Sequence, residues 1–206
     1  MGRKRATRQW LDSHRRDPWV RKAQGAGYRS RAAFKLAQID AAEHLLRPGM
    51  TVVDLGAAPG GWSQYCARGL QARGRIIALD CLPIQPITGV SVIEADFTDT
   101  AGLQALDAAL DGAGVDLVLS DLAPNLSGVA VVDQMNVMFL AEQVLAFCDG
   151  RLNRGGDLVV KLFRGEGFDD LVARARAGFG KVSVRKPSAS RDASREAYLV
   201  GRRWKG

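Results

Sequence analysis

The stretch GGDLVVKLFRG, residues 155–165, reads as a buried strand interrupted by a charge. Leu158, Val159, Val160, Leu162 and Phe163 supply apolar bulk around Lys161. A lysine is rarely buried without a partner, and burial favours its neutral, basic form. Near the carboxyl end of a core strand, such an amine can take a proton from a weakly acidic substrate group. The plainer alternative is a snorkelling side chain. Two carboxylates are candidates to face it. Asp121, in SDLAPN (120–125), ends the apolar run VDLVLSD; Glu196, in SREAY, opens the last strand. Their plainer readings are a turn aspartate and a solvent-facing edge residue.

A second constellation is VVDLGAAPGGWSQ, residues 52–64. A strand carrying Asp54 runs into a turn with Gly56, Gly60 and Gly61, and a helix follows. Glycines let backbone approach a ligand closely, and a helix N-terminus presents free N–H groups. Asp80 and Asp96 end the next two strands, where a carboxylate can accept bonds from ribose hydroxyls or a base. The spacing G-x-x-x-G-G is not the dinucleotide G-x-G-x-x-G, and Pro59 removes an N–H that a pyrophosphate would need. A nucleoside ligand such as S-adenosylmethionine fits better. SDLAPN lacks the Asp/Asn-Pro-Pro-aromatic of exocyclic-amine methylation. None of the three cysteines, Cys66, Cys81 and Cys148, falls where pyrimidine C5 methylation needs a nucleophile.

These residues need a scaffold, and the pattern supplies one. Helical spacing of Phe34, Leu36, Ile39, Ala42, Leu45 and Leu46 predicts a helix across YRSRAAFKLAQIDAAEHLL, ended by Pro48-Gly49. Strands are expected at 51–56, 75–80, 90–96, 115–121, 157–163, 181–186 and 197–204. Helices are expected at 60–70, 101–110, 132–148 and 168–179. The strands are continuous Val/Ile/Leu runs instead of alternating ones, which argues for an α/β fold. Its sheet is seven-stranded and mostly parallel, with helices on both faces. The last two strands have no helix between them, so an antiparallel strand is expected at one edge.

The 206 residues suit one domain, and no apolar run reaches eighteen residues, so no membrane span is expected. The odd, scattered cysteines fit neither a disulfide framework nor a metal site and point to a reducing cytoplasm. An Arg-rich start also fits an organellar transit peptide. Net charge is +7, but residues 1–35 carry eleven Lys/Arg against two acids. Arg3, Lys4, Arg5 and Arg8, then Arg29 and Arg31, interleave with Trp10, Trp19 and Tyr28. Cations neutralise phosphates and aromatics stack on bases, so residues 1–27 read as a nucleic-acid-binding arm and 28–206 as the catalytic domain. A merely solvated tail is the alternative.

YRSRAAFKL, DLGAAPGGWSQ, SDLAPN, GGDLVVKLFRG and KPSASRDASREAYLVG together resemble the FtsJ-type ribosomal RNA 2′-O-methyltransferases, from about residue 20 onward. The resemblance implies a Rossmann-like class I methyltransferase fold using S-adenosyl-L-methionine, without metal. It further implies a monomer that methylates a uridine ribose in the A-loop of the large-subunit RNA. A tRNA or other RNA substrate, or a non-catalytic assembly protein, remains the alternative. By resemblance, Lys35, Asp121, Lys161 and Glu196 are catalytic, and Gly60, Trp62, Asp80, Asp96 and Asp121 contact the cofactor. Free lysine titrates at about 10.4, and bringing it to roughly 7–8 requires ~4 kcal/mol of environment favouring the neutral amine. Desolvation and the like charge of Lys35 are expected to supply it, while Asp121 orients Lys161 and Glu196 fixes a lysine or the hydroxyl.

Overall fold

The apolar runs become the strands of a single sheet. The structure, a computed structural model, describes residues 17–124, 127–191 and 194–206. In chain order the elements are α1 (Pro18–Gly25), α2 (Ala32–Glu43), β1 (Thr51–Leu55), α3 (Gly61–Leu70), β2 (Arg75–Asp80), β3 (Val90–Glu94), α4 (Thr100–Leu110), β4 (Val115–Ser120), α5 (Ala130–Arg151), β5 (Leu152–Phe163), α6 (Phe168–Gly178), β6 (Phe179–Arg185) and β7 (Glu196–Trp204). The sheet order is β3-β2-β1-β4-β5-β7-β6. β1 to β5 are mutually parallel, and β7 runs antiparallel to both β5 and β6. The chain winds outward from β1 to β3, then restarts at β4, so the reversal falls between β1 and β4. Ligands in such sheets bind at that crevice, beyond the carboxyl ends of the strands.

Alternation along the strands feeds two cores. On one face Val53, Ile77, Val118, Val160 and Leu199 pack under α4, α5 and α6. On the other Val52, Leu117, Val159, Tyr198 and Val200 meet Leu36 and Ile39 of α2 and Trp62, Cys66 and Leu70 of α3. Lys161 shares the parity of Val159, so its side chain leaves on the α2/α3 face. α5 is long and apolar enough, on length and composition, to cross a bilayer. Its Ala141, Val144, Phe147 and Cys148 instead join the core beneath β4 and β5.

Two boundaries differ from expectation. Residues 17–27, read as part of the arm, contain α1: Asp17 caps it by accepting from the Trp19 N–H (2.9 Å), Pro18 opens it, and Val20 and Ala23 are buried. The long amphipathic pattern ends at Glu43, three residues before its last leucine, because Asp40 Oδ1 accepts from the N–H of Leu45 (2.7 Å) and Leu46 (3.1 Å). His44 takes the left-handed conformation this turn requires.

Glu43 then fastens α2 to the far edge of the sheet. Its carboxylate accepts from Lys181 (3.2 Å), Ser183 (2.8 Å) and Arg185 Nε (2.9 Å), while its carbonyl accepts from Arg202. Burial would raise this carboxyl, but the bonds from Arg185, Ser183 and Lys181 outweigh it and hold it at about 2, below its ordinary 4.5. A depressed carboxyl adds stability that is full above pH 4.5 and disappears as pH falls towards 2. Glu43→Ala is therefore expected to cost about 2 kcal/mol at pH 7 in urea unfolding. The difference from wild type should shrink as the titration is repeated from pH 5 downwards.

Candidate active site

Lys161, 8% exposed, stands directly opposite Tyr198 in the β5–β7 register. Its Nζ donates to the main-chain oxygen of Asp121 (2.6 Å) and pairs with Asp121 Oδ1 (3.1 Å). The Tyr198 hydroxyl lies 3.1 Å from Asp121 Oδ1 and 2.9 Å from Glu196 Oε1; with one proton, it donates to one carboxylate at a time. Lys35, on α2, donates to the Tyr198 oxygen (3.1 Å) and pairs with Glu196 Oε1 (2.7 Å), which also accepts from Ser190 Oγ (2.9 Å). Lys35, Asp121, Lys161 and Glu196 thus form one polar cluster with Tyr198 at its centre. Two lysines and two carboxylates meet in it, and Glu196 pairs with Lys35 on the far side of Tyr198 from Lys161.

The electrostatics keep the bridge in its donor state. Burial, then the Asp121 and Glu196 charges, push the Tyr198 hydroxyl well above the ordinary tyrosine range. Burial opposes the charge on Glu196, but Lys35, with Tyr198 and Ser190, holds its carboxyl below the usual value. Sequence reasoning missed Tyr198. The signal was its period-2 relation to Glu196, which places both on the face that Lys161 uses.

Beside the cluster, Asp54, Gly56, Gly61, Trp62 and Asp121 line a small pocket with Ser30. Asp54 is buried; its Oδ2 accepts from Ser63 Oγ (2.6 Å), while its Oδ1 and Ser30 Oγ are buried without any partner. Burial, with Asp121 and Asp80 adding negative charge, pushes the Asp54 carboxyl up to about 7 despite the Ser63 bond. Asp80 accepts from the N–H of Ala58 (2.9 Å) and Leu82 (2.8 Å), tying the glycine turn to the loop after β2. Gly56, at φ 74°, has no room for a side chain: a Cβ would lie 2.8 Å from the Leu122 backbone. Gly60 caps the N-terminus of α3. The Trp62 indole N–H donates to the Ala32 carbonyl (2.7 Å), and its ring packs 5.7 Å from that of Tyr198. Asp96 lies apart from this pocket, beyond β3, exposed and accepting from the Thr98 N–H (2.8 Å) and Oγ1 (2.7 Å).

The basic residues divide. Arg3, Lys4, Arg5 and Arg8 lie outside the described residues. Arg29 is exposed but engaged, donating to the carbonyls of Gln85 (2.5 Å) and Pro86 (2.6 Å). Arg31 pairs with Asp17 and donates to the Ala189 carbonyl. Both arginines therefore brace loops around the mouth of the site.

The strand order, the antiparallel β7 and a polar cluster at the β1/β4 crevice define a class I methyltransferase. Residues 28–204 match the family described as FtsJ-like methyltransferase, and the chain belongs to that family. It is 57% identical over 205 residues to the ribosomal RNA large subunit methyltransferase E of Alkalilimnicola ehrlichii, covering 98% of both chains. With the protein of the same name from Pseudomonas fluorescens it shares 49% over 206 residues, covering 100% of this chain and 99% of the other. Among solved structures, a protein described as a ribosomal RNA methyltransferase of Plasmodium falciparum superposes with a TM-score of 0.79 at 28% identity, spanning 87% of this chain and all of that one.

Proposed function

We propose that this protein methylates the ribose 2′-hydroxyl of a uridine in the A-loop of large-subunit ribosomal RNA, with S-adenosyl-L-methionine as donor and Lys161 as general base. The observation that carries the reading is the nearly buried, carboxylate-paired amine at the sheet crevice, beside an acidic pocket. The relatives' names supply the ribosomal substrate.

The pocket fits such a donor. Asp80 and Asp121 lie close enough for their charges to act on the Asp54 carboxyl, a grouping that suits a cationic ligand and not a pyrophosphate. Asp54 Oδ1 and Ser30 Oγ are acceptors still lacking donors, as an ammonium group would provide. Gly56, Gly61 and Trp62 line its walls, and Gly60, Asp80 and Asp96 are the further contacts that the resemblance implies. S-adenosylmethionine, when bound, supplies an electrophilic methyl group with its own leaving group. The chain's residues then have two tasks, to orient the hydroxyl and to remove its proton.

Lys161, entering the step as the neutral amine, takes that proton at Nζ as the oxygen–carbon bond forms. Asp121 fixes the amine through its main-chain oxygen and carboxylate. Tyr198 and Glu196 hold Lys35 at the opposite side of the hydroxyl, where its charge positions the ribose or the neighbouring phosphate. The basic arm lies along the RNA backbone.

Ribose-methylation mapping of ribosomal RNA from a strain lacking this gene, with and without the gene restored, tests the reading. One large-subunit uridine is expected to lose and regain its mark; an unchanged map overturns the substrate. Neutralising Arg3, Lys4, Arg5 and Arg8 together should reduce the slope of log affinity for RNA against log salt by about 3, with affinity for S-adenosylmethionine unchanged. Equal loss of both would make the arm a folding element.

A further inference from the structure

The first three turns of α5 break the rule that a surface helix is polar outward. Val137, Ala141 and Val144 enter the core, yet the opposite face exposes Val131, Met135 and Phe139 by 61, 66 and 52%. With Met138 they form one wall of a groove of about 390 Å³, closed by Glu166 and Gly167. Contiguous exposed apolar surface of this kind marks a docking site.

A second, independent feature lies in the groove. Gln134, 5% exposed, donates through Nε2 to the carbonyls of Phe163 (3.1 Å) and Glu166 (2.9 Å). Its Oε1 is buried with no partner. A buried acceptor without a donor costs ~1–3 kcal/mol, which an incoming N–H would recover.

Charge selects the occupant. Glu142, Glu166, Asp169 and Asp170 are exposed at or beside the groove, in a chain of net charge +7. The nearby cations include Arg174, paired with Glu142 (3.1 Å), Arg164, lying over the Phe168 ring, and Arg195, whose charge acts on Asp133. This acidic border repels RNA phosphates and anionic lipid alike. A second copy docked face to face would set the acids against one another. A cationic protein segment with an apolar anchor satisfies the apolar wall, the border and the orphan acceptor together. Through Phe163, Gln134 also grips the strand end two residues beyond Lys161.

We propose that this groove docks a basic, apolar-anchored segment of a protein bound beside the methylated RNA. The inference rests on the ribosomal RNA reading, since ribosomal RNA is packaged by basic proteins.

The test uses the full chain and two probes from a strain lacking the gene: large-subunit particles, and the same RNA freed of protein. Met135→Ser/Phe139→Ser removes apolar surface without adding charge, and its fold is checked by melting and S-adenosylmethionine binding. Its affinity for particles is expected to fall at least tenfold, with affinity for protein-free RNA within twofold of wild type. Glu142→Gln/Glu166→Gln should also bind particles more weakly but protein-free RNA no less tightly. Unchanged particle binding overturns the inference. So does equal loss on both probes, which would make the groove an RNA contact, or loss of a concentration-dependent dimer, which would make it a self-interface. Wild-type protein that neither binds nor methylates either probe would remove the ribosomal reading itself, and this occupant with it.

Discussion

Lys161→Met is expected to reduce turnover by about 10²–10⁴-fold while S-adenosylmethionine binds within threefold of wild type. Methionine preserves the volume and apolar stem of lysine and deletes only the amine. It leaves the Asp121 carbonyl without the donor at 2.6 Å and removes the amine at 3.1 Å from a carboxylate that keeps only Tyr198 among the described residues, so some loss of thermal stability should accompany it. Turnover and cofactor affinity separate the two effects. A folding defect lowers the active fraction in both assays together, whereas loss of the base spares binding. Lys161→Arg sharpens the contrast. It keeps a cation beside Asp121, but a guanidinium does not deprotonate in proteins, so it too should be inactive. Turnover of Lys161→Met within tenfold of wild type would end the general-base assignment.

Much of this site was legible because it depends on strand parity and strand ends, which sequence encodes directly. Lys161 stood out as a charge in an apolar run, and the glycine turn, Asp80 and Asp121 as strand-end features. Lys35 and Glu196 carried little signal of their own; a lysine on a helix and a glutamate on a late strand are ordinary surface residues until resemblance groups them. The place of β7 was not legible, because nothing local says it inserts between β5 and β6 instead of forming the rim. That insertion sets Tyr198 opposite Lys161, and with it the bridge from Asp121 to Glu196. Arg29 and Arg31 show the converse limit. Composition assigns them to a cationic surface, but which carbonyls and acids their guanidinium groups meet depends on loops distant in sequence, Gln85–Pro86 and Ala189.

Asp54→Asn is expected to move stability and ligand affinity in opposite directions. A buried carboxyl raised from an ordinary 3.8 to about 7 weakens the fold progressively between those pH values, by on the order of 4 kcal/mol once fully ionised. The asparagine side chain cannot ionise, and its oxygen can still accept from Ser63 Oγ, as Asp54 Oδ2 does at 2.6 Å. The variant should therefore melt higher than wild type at pH 8 and lose that advantage near pH 4. The same substitution turns the partnerless Oδ1 position into an N–H donor facing the pocket, where a cationic ligand needs an acceptor. Affinity for S-adenosylmethionine should drop about 10–100-fold, the worth of a charge-assisted hydrogen bond. Wild-type affinity should also rise from pH 6 to 8 as the carboxylate forms, and the variant's should not. A destabilised variant at pH 8, or one that binds the donor as tightly as wild type, would mean that Asp54 serves packing alone and that the strain in this pocket has no functional counterpart.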